Sequence, residues 1–217
     1  MATIEYYWTK TAEPIRISEF ATSLGFNLRT LEYESVPDDK WEWINKKIRN
    51  VILAYVSECW EDNKEERNSA LSSVNQGIYV VTLSDNLSID YRGKPSKVLY
   101  IGRGQIHTRL SDHFKHWIRY FTDSLQDISF DIWMTEVKVS GSRNAYKEVE
   151  TDLLNHFYYK FECYPIQNAK NGDYHEKAHD YCEAWNEPLR NPTNINNGWS
   201  IKPLRNNDWA FEFEEDA

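Results

Sequence analysis

The chain has 217 residues, a formal net charge of −9 and an aromatic content of 15%, a length that allows one large domain or a core with flanking additions. It has no apolar run of about eighteen residues and no recognisable signal peptide, so we expect neither a membrane span nor a membrane partner. Its three scattered cysteines predict no disulfide framework and favour a reducing, cytoplasmic location.

The first 75 residues are predicted to form a helical extension. Residues 17–31 suggest two short helices joined by a turn, with Ala21, Gly25 and Leu31 at the small, turn and core positions of a helix-turn-helix. Two interpretations are open: a unit that reads DNA, or plain helical packing, which the acidic residues of the second helix favour. Asp38 and Asp39 then precede a helix with a broad apolar face, which packs on the core or on another subunit, so a homodimer stays open.

Two tripeptides in apolar, β-branched runs form the most informative pattern of the chain. Gly77-Ile78-Tyr79 begins the first run, and Tyr100-Ile101-Gly102 ends the second, with a polar stretch over residues 84–97 between them. Runs of this kind predict adjacent strands of a hairpin, each carrying one tyrosine.

An amphipathic helix is predicted directly after the second strand. Ile106, Leu110 and Phe114 recur at four-residue spacing, and Arg109 and His113 share another face. An arginine fork binds two phosphate oxygens at once, and a histidine can move a proton near neutral pH.

A third strand is predicted over residues 128–139, with a turn at 140–142 and a helix over 143–159. This helix carries two candidate carboxylates, Glu148 and Glu150. It is predicted to extend by an extra turn before Pro165 and Asn168.

These motifs, in this order, resemble the GIY-YIG endonuclease family over residues 77–170. The family has an arginine and, four residues on, a histidine or tyrosine in the helix after the second tripeptide. It also has a glutamate three and four residues before an apolar pair, which Glu150 matches and Glu148 does not. Pro165 and Asn168 match the motif that often closes the family core.

The resemblance implies an α/β (α+β) fold: a small, mainly antiparallel three-stranded sheet flanked by helices. We expect a nuclease core at residues 76–172, between the helical extension at 1–75 and a C-terminal helix, loops and acidic tail at 173–217. The implied function is a metal-dependent endonuclease acting on double-stranded DNA, of the stand-alone restriction or defence type. The runner-up is a nucleic-acid-binding or assembly protein on the same fold, with cleavage weak or lost.

Specific residue roles follow from the same resemblance. The implied catalytic residues are Tyr79, Tyr100, Arg109, His113, Glu150 and Asn168, with Lys97 as a weaker candidate. Glu150 is expected to hold Mg²⁺ or Mn²⁺, because a carboxylate is a hard oxygen ligand and one carboxylate suits a single-metal site. A free phenol titrates near about 10, so Tyr79 can act as a base only if nearby cations lower its pKa. Asn168 is expected to support the site.

A possible zinc site is a competing interpretation of four residues after the core. Cys163, His175, His179 and Cys182 are zinc-type ligands, and the last three fit one face of a helix beginning near Asp173. A paired cysteine at short spacing is missing, so packing is the favoured explanation.

Charge is unevenly distributed along the chain. Residues 97–119 are rich in Lys and Arg, which predicts a basic catalytic face despite the negative net charge. The acidic tail at 212–216 is interpreted as a solvated end, or as a competitor of DNA for that face. The similar segments 188–191 and 203–206 are interpreted as surface turns, or as loops that touch base edges.

Overall fold

A computed structural model describes the following residues of the chain: 3–28, 36–62, 69–84, 87–124, 127–139, 142, 144–168, 172–176, 178–190 and 199–201. The second half of the possible helix-turn-helix, most of the turn at 140–142, the segment 203–206 and the acidic tail lie outside these residues.

The described chain contains helices and strands in the following order. The helices are α1 (Ile17–Ser23), α2 (Asp38–Asp62), α3 (Ile106–Arg119) and α4 (Ala145–Phe161). The strands are β1 (Thr3–Ile4), β2 (Thr9–Lys10), β3 (Gly77–Leu83), β4 (Leu87–Tyr91), β5 (Lys94–Ser96), β6 (Val98–Gly104), β7 (Phe130–Glu136), β8 (Asp180–Tyr181) and β9 (Trp199–Ile201). Short helical turns cover Leu71–Ser73, Tyr120–Ser124 and Glu187–Leu189.

The central sheet is antiparallel, as predicted, but it has four strands rather than three. Its order is β2-β7-β3-β6, so the two motif strands β3 and β6 pair directly and β7 is the predicted third strand. The additional strand comes from the N-terminal region, where Thr9 pairs with Met134 and Lys10 with Trp133. A short strand with a lysine covers the free edge of β7, a position where an exposed edge would otherwise invite pairing with another chain. The N-terminal region is therefore not purely helical, and it forms part of the core sheet.

Strand β3 is buried along its whole length, so both faces of the sheet are covered at its centre. Helices α3 and α4 pack against β3 and β6, and α2 packs against α3. The apolar stripe predicted for α3 is confirmed, since Ile106, Leu110 and Phe114 are fully buried. Helix α2 begins at Asp38, as expected, and its apolar face packs within this chain. The fold is thus the predicted α+β class.

The polar stretch between β3 and β6 forms a hairpin of its own, β4–β5. Its turn places Arg92 and Gly93 at positive φ values of 52° and 77°, the backbone that favours tight hairpin turns. The Tyr91 ring lies edge-on against Phe157, 5.1 Å between centroids, and also contacts Phe161. These contacts bury the additional turn of α4 that was predicted from the sequence, and α4 ends at Phe161.

The C-terminal strap, defined as residues 172–176 and 178–190, runs along α4. The expected helix beginning near Asp173 is wrong, because residues 172–176 and 178–182 form no helix and include β8, which pairs in parallel with β1. Its side chains bind successive turns of α4: His179 contacts Glu148, His175 contacts Asp152 and Asn186 contacts His156. The three α4 residues are one helical turn apart, but the strap does not meet them in chain order, since His175 contacts the middle one.

The turn of the possible helix-turn-helix is partly confirmed. Gly25 has φ +81°, a backbone that favours glycine, and Ala21 is fully buried. Within the described part of the chain, no helix is both long enough and apolar enough to cross a membrane.

Candidate active site

The closest packing at the site joins Tyr79 to Gly102 across the β3–β6 pair. The two residues are direct partners in the register. A Cβ atom at Gly102 would lie only 2.6 Å from both Cζ and the hydroxyl oxygen of Tyr79, and 2.5 Å from Cε1 of Tyr100. Only glycine at position 102 therefore leaves room for the rings of Tyr79, on β3, and Tyr100, on β6. This gives a physical reason for the glycine at the end of the second tripeptide.

The Tyr79 hydroxyl meets a histidine from α3. A hydrogen bond of 2.7 Å joins this oxygen to Nε2 of His113. The imidazole is held by aromatic neighbours: it stacks on Trp117 with 4.4 Å between centroids and 9° between planes, and Tyr100 contacts it at 4.8 Å. Tyr79, Tyr100, His113 and Trp117 thus form one packed cluster, which we call the tyrosine–histidine cluster.

Burial sets the protonation states in this cluster. Burial, and then the neighbouring Tyr100, raise the pKa of Tyr79 well above its ordinary value, and Arg109 only partly opposes this shift. Arg109 alone therefore does not bring the pKa of this phenol below its ordinary value, since desolvation outweighs its charge. Burial, and then the charge of Arg109, lower the pKa of His113 to about 4. At neutral pH the tyrosine is a phenol and the histidine a neutral imidazole, with one ring nitrogen able to accept a proton.

Arg109 lies between the cluster and the carboxylate of α4. Its guanidinium interacts with the hydroxyls of Tyr79 and Tyr100 by charge and hydrogen bonding. It also acts electrostatically on Glu150. The residue sits in the first turn of α3, where its amide donates to the Gln105 carbonyl at 2.9 Å. The predicted pairing of Arg109 and His113 on one face of α3 thus places both at the same tyrosine hydroxyl.

Glu150 is a largely buried carboxylate, with 12% of its side chain exposed. Its Oε2 lies 3.1 Å from Nη1 of Arg103, and Nη2 of the same guanidinium lies 2.7 Å from Asp173 on the strap. Burial raises the pKa of Glu150 to about 7, and the charge of Arg103 opposes that shift. A buried acid with a strongly shifted pKa, next to two arginines, is typical of a functional site.

The alternative carboxylate, Glu148, faces the strap. Its Oε2 lies 2.8 Å from Nε2 of His179, and both side chains are mostly buried. The two glutamates thus have different surroundings: Glu150 contacts Arg103, and Glu148 fastens the strap to α4. The sequence preference for Glu150 agrees with this arrangement.

Asn168 supports the sheet rather than the chemistry. Its Oδ1 accepts from the Ile101 amide at 2.9 Å, and its Nδ2 donates to the Ile101 carbonyl at 2.8 Å. The neighbouring Gln167 amide donates to the Leu99 carbonyl at 3.1 Å. The side chain therefore pairs with the edge of β6 like a residue of another strand, next to Tyr100 and Gly102.

Lys97 lies directly before β6, too far from Gly102 to join the predicted site. Its carbonyl accepts from the Leu83 amide at the far end of β3. Five residues of strand separate it from Gly102, which is about 16 Å and farther than a lysine side chain reaches. The weaker catalytic candidate Lys97 therefore lies outside the site, because it is near Tyr100 in sequence but not near the pair of Tyr79 and Gly102 in space.

Two cations of the predicted basic face pair with carboxylates. Arg103 pairs with both Glu150 and Asp173, and the exposed Lys115 pairs with Asp112 at 2.8 Å. Arg109 is the cation directed at the tyrosine hydroxyls.

Three residues of the site were not predicted as such. Arg103 directly follows the second tripeptide, and this position is the sequence feature that could have identified it as a site residue. Trp117 continues the apolar stripe of α3 three residues after Phe114, and it also stacks on His113. Asp173 has no local signal, because its place beside Arg103 depends on how the strap docks.

The docking of the strap at Asp173 is tight. A Cβ atom at Gly172 would lie 2.7 Å from Cα of Thr151. The Thr151 hydroxyl donates to the Asp173 carbonyl at 2.9 Å. The backbone at Gly172 and Asp173 is therefore fixed against α4, one residue from Glu150.

The possible zinc ligands are not gathered into one site. His175 binds Asp152, His179 binds Glu148, and the Cys182 thiol donates to the Tyr6 carbonyl at 3.5 Å. Cys163 follows the end of α4 as a half-buried thiol. Across the residues that the structure covers, no group of three His, Cys, Asp or Glu side chains is arranged to hold a metal ion.

No family model matches this sequence, and no curated protein or solved structure matches it either.

The lowered pKa of His113 predicts a loss of stability on mild acidification. Below about pH 6.5 the unfolded chain takes up a proton at this histidine, while the folded chain does so only near about pH 4, so acid favours unfolding. Between about pH 7.5 and about pH 5.8, this residue should therefore lower the free energy of unfolding.

We expect His113→Gln to lose correspondingly less stability than wild type over that interval, in urea unfolding followed by circular dichroism. His116→Gln, at an exposed position of the same helix, is the control and should behave as wild type. An identical pH dependence in wild type and His113→Gln would contradict the assigned state of His113.

Proposed function

We propose that this chain is a metal-dependent endonuclease of the GIY-YIG type. The observation that carries the proposal is the convergence at the Tyr79 hydroxyl, where His113 bonds to the oxygen and Arg109 supplies charge, next to the buried Glu150. A proton-transfer pair, a cation and a carboxylate are the groups that phosphodiester hydrolysis requires. Burying polar groups is unfavourable, so packing alone does not explain why β3, α3 and α4 bring polar side chains together here.

The donor set fits a single divalent cation, Mg²⁺ or Mn²⁺, at Glu150. Mg²⁺ keeps several waters and is commonly held by one or two carboxylates together with substrate phosphate oxygens. Glu150 offers one such carboxylate, and its burial favours pairing with a cation. When bound, the metal ion would neutralise developing charge on the phosphate and lower the pKa of a bound water.

The protein residues supply positioning and proton transfer. Arg109 would bind a non-bridging phosphate oxygen through its fork, and its charge would matter most as negative charge develops. The Tyr79 hydroxyl would donate to Nε2 of the neutral His113 while its oxygen accepts a proton from the attacking water. Negative charge from the phosphate would raise the pKa of His113 above its low value and so favour this transfer.

The substrate we propose is double-stranded DNA, and the biological role is restriction or defence against foreign DNA. Support comes from the motif resemblance and from Arg109, whose guanidinium is directed at the site. A cytoplasmic location is proposed with it, because Cys59, Cys163 and Cys182 are thiols rather than disulfides.

One observation favours the alternative of a binding or assembly protein on the same fold. Arg103 occupies the Glu150 carboxylate and bridges it to Asp173. A protein that had lost its metal could keep this arrangement permanently, with the arginine in place of the cation.

Glu150→Gln should abolish Mg²⁺- or Mn²⁺-dependent cleavage while leaving folding and DNA binding largely intact. The amide keeps the shape of the side chain but is a poor metal ligand, and Arg103 retains Asp173 as its partner. The measurement is digestion of mixed plasmid and single-stranded DNA with Mg²⁺, Mn²⁺ or EDTA. Glu148→Gln is the matched control and should have a mild effect. Loss of cleavage in Glu148→Gln with normal activity in Glu150→Gln would show that the wrong carboxylate was chosen.

Arg109→Ala distinguishes the nuclease from the binding protein. In a nuclease it should lower single-turnover cleavage far more than DNA affinity, because the lost charge acts mainly in the transition state. In a binding protein, wild type shows no metal-dependent cleavage, and the variant reduces the log–log salt slope of binding by about one. Cleavage rates and salt titrations of both proteins provide the comparison. Equal losses in rate and in affinity would contradict the catalytic role of Arg109.

A further inference from the structure

Tyr174 is an exposed aromatic residue that the strap presents at the edge of the candidate active site. Its side chain is 86% exposed, the highest value among the large hydrophobic residues described as exposed. The residue before it, Asp173, shares the Arg103 guanidinium with Glu150. Tyr174 is thus one residue away from a carboxylate that a single guanidinium connects to Glu150.

The backbone around Tyr174 is fixed on both sides. Before it, Gly172 lies against Thr151, and the Thr151 hydroxyl holds the Asp173 carbonyl. After it, His175 bonds to Asp152 at 2.9 Å, with only 13% of the histidine side chain exposed. The side chains of both neighbours are held by partners, Arg103 and Asp152, whereas Tyr174 is exposed. An ordered backbone beneath an exposed ring reduces the entropy lost when that ring binds a partner.

The chemistry of the ring indicates what it would bind. Aromatic side chains bind nucleobases by stacking, in a way that tolerates any base because every base has a π-face. In an intact duplex both faces of a base are covered by its neighbours, so a free face requires an unpaired or extruded base.

We propose that Tyr174 stacks on an unpaired base adjacent to the scissile phosphate, which makes DNA with a locally unpaired base the preferred substrate class. This inference rests on the proposed nuclease function. It assigns Tyr174 a substrate contact outside the tyrosine–histidine cluster, and it assigns the strap the task of presenting that contact.

The chain offers a matched control in Tyr159. This tyrosine is 84% exposed but lies near the C-terminal end of α4, nine residues beyond Glu150 and about 13 Å along the helix axis. A general effect of removing an exposed tyrosine would appear in both variants, whereas a stacking contact near the site would appear only at Tyr174.

The test compares affinities for a labelled duplex and for the same duplex with one bulged nucleotide, by fluorescence anisotropy in EDTA so that no cleavage occurs. Wild type should bind the bulged duplex about tenfold more tightly, within the range measured for base–aromatic stacking. Tyr174→Ala should remove this preference, while Tyr174→Phe and Tyr159→Ala should retain it. All variants should unfold at the wild-type temperature, since both rings are exposed.

A preference that survives in Tyr174→Ala, or that Tyr159→Ala removes equally, would overturn the inference, as would equal binding of the two duplexes by wild type. In each of those cases Mg²⁺-dependent cleavage by wild type would leave the nuclease proposal standing. If wild type neither binds nor cleaves any of these DNAs, the nuclease proposal falls and this inference with it.

Discussion

The contact between the Tyr79 ring and Gly102 is the constraint on which the rest of the site depends. Two strands pair so closely here that a single added carbon would collide with the hydroxyl of Tyr79 and with the ring of Tyr100. The contact fixes the position of the Tyr79 hydroxyl, and therefore the place that His113 and Arg109 approach from α3. Asn168 holds the same strand from its other edge, through the backbone of Ile101. The geometry of the site is thus set by backbone pairing more than by any one polar contact.

Helix α4 serves two purposes on two of its faces. One face carries Glu150 towards the arginines, and another carries Glu148, Asp152 and His156, which bind the strap at successive turns. Because the strap also pairs with β1, its position links the N-terminal strand to the neighbourhood of Glu150. The additions outside the predicted core are therefore part of the structure that positions the site.

Much of the fold could be predicted from local patterns. The alternation and β-branching around Tyr79 and Tyr100 predict paired strands, and the spacing of apolar residues on α3 places Arg109 and His113 on one face. The fourth strand escaped prediction, because Thr9 and Lys10 form a two-residue strand whose only cause is the free edge of β7. The sequence predicts a helix there because His175, His179 and Cys182 have helical spacing, whereas the two histidines bind α4 and Cys182 binds the Tyr6 carbonyl.

The protonation states could not be predicted either, since they depend on burial. A strand tyrosine beside an arginine suggests a lowered pKa, but the burial of Tyr79 has the larger effect and raises it. The same burial makes His113 a neutral imidazole at physiological pH. In the proposed nuclease, proton transfer would therefore fall to the pair of Tyr79 and His113, which neither residue indicates alone.

Single-turnover cleavage by Tyr79→Phe tests this account most directly. The change removes one hydroxyl and keeps the ring against Gly102, so stability should fall by no more than about 1 kcal/mol, while the rate should fall about a hundredfold or more. Tyr91→Phe is the matched control: its buried hydroxyl donates to the Val98 carbonyl, away from the site, and its loss should cost stability but not cleavage. A Tyr79→Phe protein that cleaves DNA at the wild-type rate would contradict the account and remove this tyrosine from the mechanism.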